Sequence, residues 1–255
     1  ALNALAEELD DKQLERSLDL FQQAAELARM SGNPEGLAWA LAGQAKIAGD
    51  QNRYEDMTRF CFQALEVLQD APPHQAEAHA KVQLSWNYFY LGDYSTALEW
   101  GMRGLETARA CGSRLREVNA LDVVASIYSV MEDHPQALAF HQDALRVVEE
   151  LGDAQETAVV LNNAAMSLMG AGNYSEALEA GLRGLEQARL LEMKPFICNY
   201  HDTVAQIYLV MGDAESAETL LRAGLALSDS RRPDFFLAAH TKNLGKVCLA
   251  QGKFD

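Results

Sequence analysis

The chain has 255 residues, a formal net charge of −16, 49% hydrophobic residues and four cysteines. Its acidic excess is spread along the sequence without a basic block, so a phosphate backbone or an anionic membrane surface is a poor partner. No apolar run reaches the roughly 18 to 20 residues needed to cross a bilayer, Glu7 and Glu8 stand where a secretory leader would be basic, and Cys61, Cys111, Cys198 and Cys248 form no CxxC pair. A cytoplasmic protein is expected, with no metal and no cofactor.

In chain order, residues 1–11 read as the remnant of a helix and 14–31 as the next helix, together a partial repeat over 1–33. From Asn33-Pro34 the pattern settles into a period of forty residues. Repeats fall at 34–73, 74–113, 114–153, 154–193 and 194–233, with a partial repeat at 234–255. Each period predicts two amphipathic helices around a short turn. In the fourth, Val160, Leu161, Ala164, Ala165 and Leu168 have helical spacing over 154–171, Gly172-Asn173 makes the break, and 174–191 forms the second helix. The same turn signal occurs at Gly92-Asp93, Glu132-Asp133, Gly212-Asp213 and Gly252-Lys253. Links between repeats are predicted at Asn33-Pro34, Pro72-Pro73, Gly112-Ser113, Gly152-Asp153 and Lys194-Pro195.

Other columns keep the period. Small residues stand at Ala45, Ser85, Ala125, Ala165, Ala205 and Gly245, and again at Ala97, Ala137, Ala177 and Ala217. A Leu column at Leu65, Leu105, Leu145, Leu185 and Leu225 is preceded each time by Ala or Gly. The fold class predicted is all-α, a solenoid of stacked antiparallel helix pairs with a core built by stacking.

Stretches such as Gly92-Asp93-Tyr94-Ser95-Thr96-Ala97-Leu98-Glu99 and Gly172-Asn173-Tyr174-Ser175-Glu176-Ala177-Leu178-Glu179 resemble the tetratricopeptide repeat across essentially the whole chain. The resemblance implies a right-handed superhelix whose first helices line a concave surface. Its commonest period is 34 residues. The forty-residue form is similar to the repeats of kinesin light chains, polarity adaptors and bacterial regulators that sense peptides or control output domains.

An eighty-residue subpattern sits inside the first. Gly101-Met102-Arg103-Gly104-Leu105-Glu106 is nearly reproduced by Gly181-Leu182-Arg183-Gly184-Leu185-Glu186. Two glycines inside one helix cost roughly 1 kcal/mol each relative to alanine. Either close helix contact or inheritance from a two-repeat duplication accounts for them.

The resemblance places the binding surface on six columns of each first helix, seen in the second repeat as His79, Val82, Gln83, Trp86, Phe89 and Tyr90. Trp86, Phe89 and Tyr90 share a helical face, and Leu84, Ser85 and Tyr88 already hold the packing positions. The stripe reads either as core or as an apolar groove. Trp39, Met166 and Met169 fall in the same columns. Gln83, Asn163, Thr203 and Asn243 form an amide-rich column, with Asn119, Asn162 and Asn199 nearby, suited either to a peptide backbone or to bonds between repeats. Lys242 and Lys246 beside Asn243 look like part of the family's clamp for a terminal carboxylate.

No constellation supports an enzyme. The histidines are scattered, and there is no HExxH, no nucleophile elbow and no GxxxxGK[ST] loop. The sixth period stops at Gly252-Lys253-Phe254-Asp255, and Phe235, Phe236 and Leu237 make the last helix apolar for a terminal one, so the chain is expected to be a segment of a longer protein. The favoured function is a protein or peptide interaction scaffold, as the regulatory repeat region of a larger bacterial signalling protein. A signal-peptide or small-ligand sensor, and self-association through the C-terminal edge, are the alternatives.

Overall fold

The computed structural model describes residues 2–3, 14–227 and 235–250. Most of the expected N-terminal helix remnant, the Gly252-Lys253 turn and Phe254 lie outside the described residues, as do the side chains of Phe235, Phe236 and Leu237. Twelve α-helices, and no strand, are formed among the described residues. They are α1 (Leu14–Ser31), α2 (Pro34–Asp50), α3 (Tyr54–Val67), α4 (Gln75–Tyr90), α5 (Tyr94–Ala110), α6 (Arg114–Val130), α7 (His134–Leu151), α8 (Ala154–Gly170), α9 (Tyr174–Leu190), α10 (Lys194–Val210), α11 (Ala214–Leu227) and α12 (Phe235–Ala250). No described helix is long and apolar enough to cross a membrane.

The turns follow the sequence register. The residue that breaks each pair is left-handed at Asn52, Gly92, Glu132, Gly172 and Gly212, with φ of 58°, 80°, 62°, 81° and 85°. Glycine takes this conformation without a steric penalty, and Glu132 bears one of roughly 1 kcal/mol. At some of these turns an aspartate then caps the second helix: Asp93 accepts from the Thr96 amide at 3.1 Å and Asp213 from the Ser216 amide at 3.0 Å, whereas Arg53 and Asn173 make no such bond.

Two links differ from the expectation. Gly32, Gly112, Gly152 and Glu192 make a second left-handed column, which Pro72 cannot join because its ring fixes φ near −65°. α3 therefore stops at Val67, and turn bonds Leu68 N to Leu65 O and Ala71 N to Leu68 O carry the chain on. At the fifth repeat the chain reverses at Glu192, so Lys194 and Pro195 open α10 instead of linking to it. Proline is tolerated there, since the first-turn amides have no partner within the helix.

The packing divides into two compact units, Ala1–Ile127 and Tyr128–Asp255, with the boundary inside α6. In the first, Phe21, Ala25, Ala40 and Ile47 join α1 to α2, and Leu41, Ala45, Met57, Cys61 and Leu84 join α2, α3 and α4. In the second, Ala158, Leu185, Met193, Tyr200 and Val204 join α8, α9 and α10, and Ala205, Ala217, Leu221 and Val247 continue to α12. The paired glycines mark close approach. A Cβ on Gly101 would stand 2.8 Å from Val124 Cγ2, and one on Gly184 would stand 3.2 Å from the Ala158 carbonyl oxygen.

Candidate partner-binding surface

In the first unit the surface is built on α2, α4 and α6. Apolar residues on the opposite sides of these helices fill the core, leaving the remaining columns to face outward. Trp86, Phe89 and Tyr90 form one ring cluster. Trp86 stacks on Tyr90 at 5.8 Å and meets Phe89 edge-on at 5.4 Å, and the cluster extends to Tyr54 and Tyr94. Trp86 is half-buried against the core of α2 to α4, whereas Tyr90 is 57% exposed. The stripe therefore has both characters that the sequence left open: its base is core and its tip is surface. Local sheltering of the phenol, then the charges of Asp50, Tyr54 and Asp122, push the Tyr90 pKa up to about 12.

A second group surrounds His79. Trp39 lies 5.7 Å from the imidazole, and the Arg116 guanidinium sits 5.4 Å above the Trp39 ring and donates to Asn119 Oδ1 at 3.1 Å. Gln83 Nε2 is 3.1 Å from His79 Nε2. Burial, then the charges of Arg116 and Lys46, hold His79 well below its ordinary pKa, so the ring is neutral.

His79 and Val82 correct the expected surface columns, being 4% and 2% exposed. Val82 faces its own repeat partner, α5, where a Cβ on Gly104 would stand 3.1 Å from Val82 Cγ2. His79 lies beneath Trp39. Arg116 and Lys46 were missed because neither stood among the residues singled out. Lys46 shares the Trp86 column, which is the signal that would have found it.

In the second unit Asn163, Met166, Met169 and Asn199 are half-buried on α8 and α10, while Asn162 is buried at 3% exposure beneath the close approach of Gly184. Asn162 thus lies inside the fold. Asn243 donates to both carboxylate oxygens of Asp202, at 2.9 and 3.0 Å, and Gln206 donates to Asp202 at 2.8 Å. Lys242 and Lys246 are exposed, but the amide beside them is held by a carboxylate of the protein itself. The bond between repeats is the role the structure gives Asn243.

A family model described as tetratricopeptide repeat matches residues 117–189. Among curated proteins, Tetratricopeptide repeat protein 29 of Trypanosoma brucei brucei is 27% identical over 221 residues, which are 84% of this chain and 44% of that protein. The chain thus spans less than half the length of that relative. Among solved structures, a Rap protein complexed with Competence and Sporulation Factor superposes with a TM-score of 0.73 at 14% identity, covering 97% of this chain and 77% of that one. NprR in complex with its cognate peptide NprX gives 0.66 at 17% identity, covering 96% and 68%. The helix pairs and left-handed turns of the described residues thus share the fold of these repeat proteins, and residues 117–189 match the tetratricopeptide repeat itself.

Proposed function

We propose that the chain is a protein- or peptide-binding repeat scaffold whose binding surface is carried by the first helix of each repeat. The observation that carries this reading is the ring cluster on α4, where Tyr90 stays 57% exposed although Leu84 and Ser85 already fill the packing positions. Large aromatics anchored in a core and open at the tip are the residues that most often dominate interfaces. Met166 and Met169 give the second unit an adaptable apolar counterpart. The finer reading is a regulatory repeat region of a larger bacterial signalling protein, in which a bound peptide alters an output. Its support is the likeness to the NprR structure with peptide NprX and to the Rap structure with Competence and Sporulation Factor.

A random peptide display library selected on the full chain tests the scaffold reading. Peptides that bind the wild type should bind Trp86→Ala/Tyr90→Ala at least about tenfold more weakly, because hot-spot aromatics contribute about 2 kcal/mol or more. Unchanged binding with a lowered melting temperature would show that the stripe is core alone.

A further inference from the structure

We infer that the turn edge of the second unit is a docking surface in its own right, and that its occupant is a basic amphipathic helix of a partner protein. The edge goes beyond the ring cluster of α4, which lies in the other unit. Val130 and Met131 stand at the end of α6, and Val210 and Met211 at the end of α10, with exposures of 46%, 50%, 52% and 45%. The turn between them carries the small residues Gly170, Ala171 and Gly172, leaving a saddle between two larger apolar pairs. A Cβ on Gly170 would stand 3.1 Å from His134 Cε1, so the third and fourth turns touch, and Ala165 and Ile207 pack α8 beside α10. Turn geometry does not demand these side chains. The Asn52 turn makes the same left-handed break with Asp50 and Gln51 in the two columns, both exposed. A run of large apolar groups left in water marks an interaction site.

Charge selects the occupant. Residues 128–138, 168–178 and 208–218 hold six carboxylates and neither Lys nor Arg. Among the described residues only Glu218 of the six is ion-paired, with Arg222 at 2.7 Å, while Glu132, Asp133, Glu176, Asp213 and Glu215 stand exposed on the three turns. A second copy of the edge would set carboxylate against carboxylate, whereas Lys or Arg of a partner would meet acids that have no cation of their own. The backbone favours a helix. Turn amides are already spent on bonds such as Gly172 N to Met169 O at 3.0 Å and Gly212 N to Leu209 O at 3.1 Å, so a strand would find no ladder, and a helix satisfies its own backbone. Helices in contact lie about 8–10 Å apart, which puts the two apolar pairs, two repeats apart, at about 20 Å, the length of about thirteen helical residues.

The full chain, labelled with carbon-13 at its methionine methyls, tests the edge against peptides of about fourteen residues. One peptide has leucine at helical spacing and lysine elsewhere; a second has glutamate in place of lysine, and a third has serine in place of leucine. The leucine–lysine peptide should shift Met131 and Met211 saturably, bind at least about tenfold more tightly than either control, and leave the exposed Met30 and Met102 unmoved. Met131→Ser/Met211→Ser should weaken it about tenfold, read by fluorescence anisotropy. Glu132→Gln/Asp213→Asn should weaken it about fivefold at about 50 mM salt and less at about 500 mM, asparagine keeping the cap of α11. The edge is overturned by no shift, by equal binding of the leucine–glutamate peptide, by equal shifts at Met30 and Met102, or by wild-type affinity in both double variants. Shifts of Met131 and Met211 on raising the protein concentration without peptide would overturn it too, in favour of a second copy. Trp86→Ala/Tyr90→Ala should bind the peptide as the wild type does; loss of binding there would move the peptide to the ring cluster and overturn the edge while sparing the first-helix surface.

Discussion

Gly101→Ala will lower the melting temperature although alanine is the better helix former. Position 101 lies inside α5, where propensity alone favours alanine by about 1 kcal/mol. The new Cβ would stand 2.8 Å from Val124 Cγ2 and 2.9 Å from Ser85 Oγ, closer than either atom tolerates. Neither neighbour yields cheaply. Val124 is fully buried on α6 with one preferred helical rotamer, and Ser85 Oγ donates to the Ala97 carbonyl at 2.8 Å. Overpacking of this kind costs about 1–3 kcal/mol, so the net is a loss of about 1 kcal/mol. For a chain of this size that is a fall of about 2–4 °C.

The same substitution at two other glycines sets the scale. Gly181 stands in the same column, but its nearest neighbour is Val204 Cγ2 at 3.1 Å, which needs to give by only a few tenths of an ångström. Gain and cost nearly cancel, and Gly181→Ala should melt within about 1 °C of the wild type. Gly245, inside α12, meets nothing within 4 Å, so Gly245→Ala should raise the melting temperature by about 2–4 °C. Calorimetry of the three variants side by side measures the order. Shifts of one sign in all three, or a Gly101→Ala variant as stable as the wild type, would refute the view that close contact sets these glycines.

Two further outcomes follow from caps and burial. Asp93→Ala removes the side-chain acceptor for the Thr96 amide and should cost about 1 kcal/mol, while Asp93→Asn should melt close to the wild type, because asparagine caps equally well; an equal fall in both would assign the effect to charge. Cys61 is fully buried on α3, with its thiol pushed up by burial, so Ellman's reagent at pH 8 should modify it at least about a hundredfold more slowly than half-buried Cys111. Labelling of Cys61 at the Cys111 rate would overturn that.

Much of the backbone is legible because its period rests on turns. The left-handed column was readable even where glycine is replaced by Asn52 or Glu132, since five periods constrain each position. α1 ends where the sequence ends it, at Ser31, and α8 and α9 stop one residue before the predicted ends. The Pro72 link was less legible. Proline signals a break, but only the conflict with a left-handed position explains why α3 loses its last turn at Val67. The surface was less legible still, because a column fixes where a residue stands on its helix and not what faces it. His79 and Trp39 share a column, yet one is buried and the other half-exposed, since the layer above each differs.

Exposure itself is periodic, and this narrows the proposed binding surface. The column of Ala42, Val82, Asp122, Asn162 and Asp202 is buried throughout, at 0% to 6% exposure, although its members change from apolar to charged. Glycines of the second helix press on it at Val82 and at Asn162, and Asp202 is held within the protein by Asn243. Four residues further on, the column of Lys46, Trp86, Ser126, Met166, Gln206 and Lys246 is half-buried or exposed in every repeat, and the next, Asp50, Tyr90, Val130, Gly170 and Val210, is exposed in every one. These two columns are one helical turn apart and vary freely between aromatic, apolar and charged residues. On the proposed reading, packing leaves a partner in each unit a strip along each first helix, which in the first unit carries Trp86 and Tyr90 as apolar residues and Lys46 as a charged one.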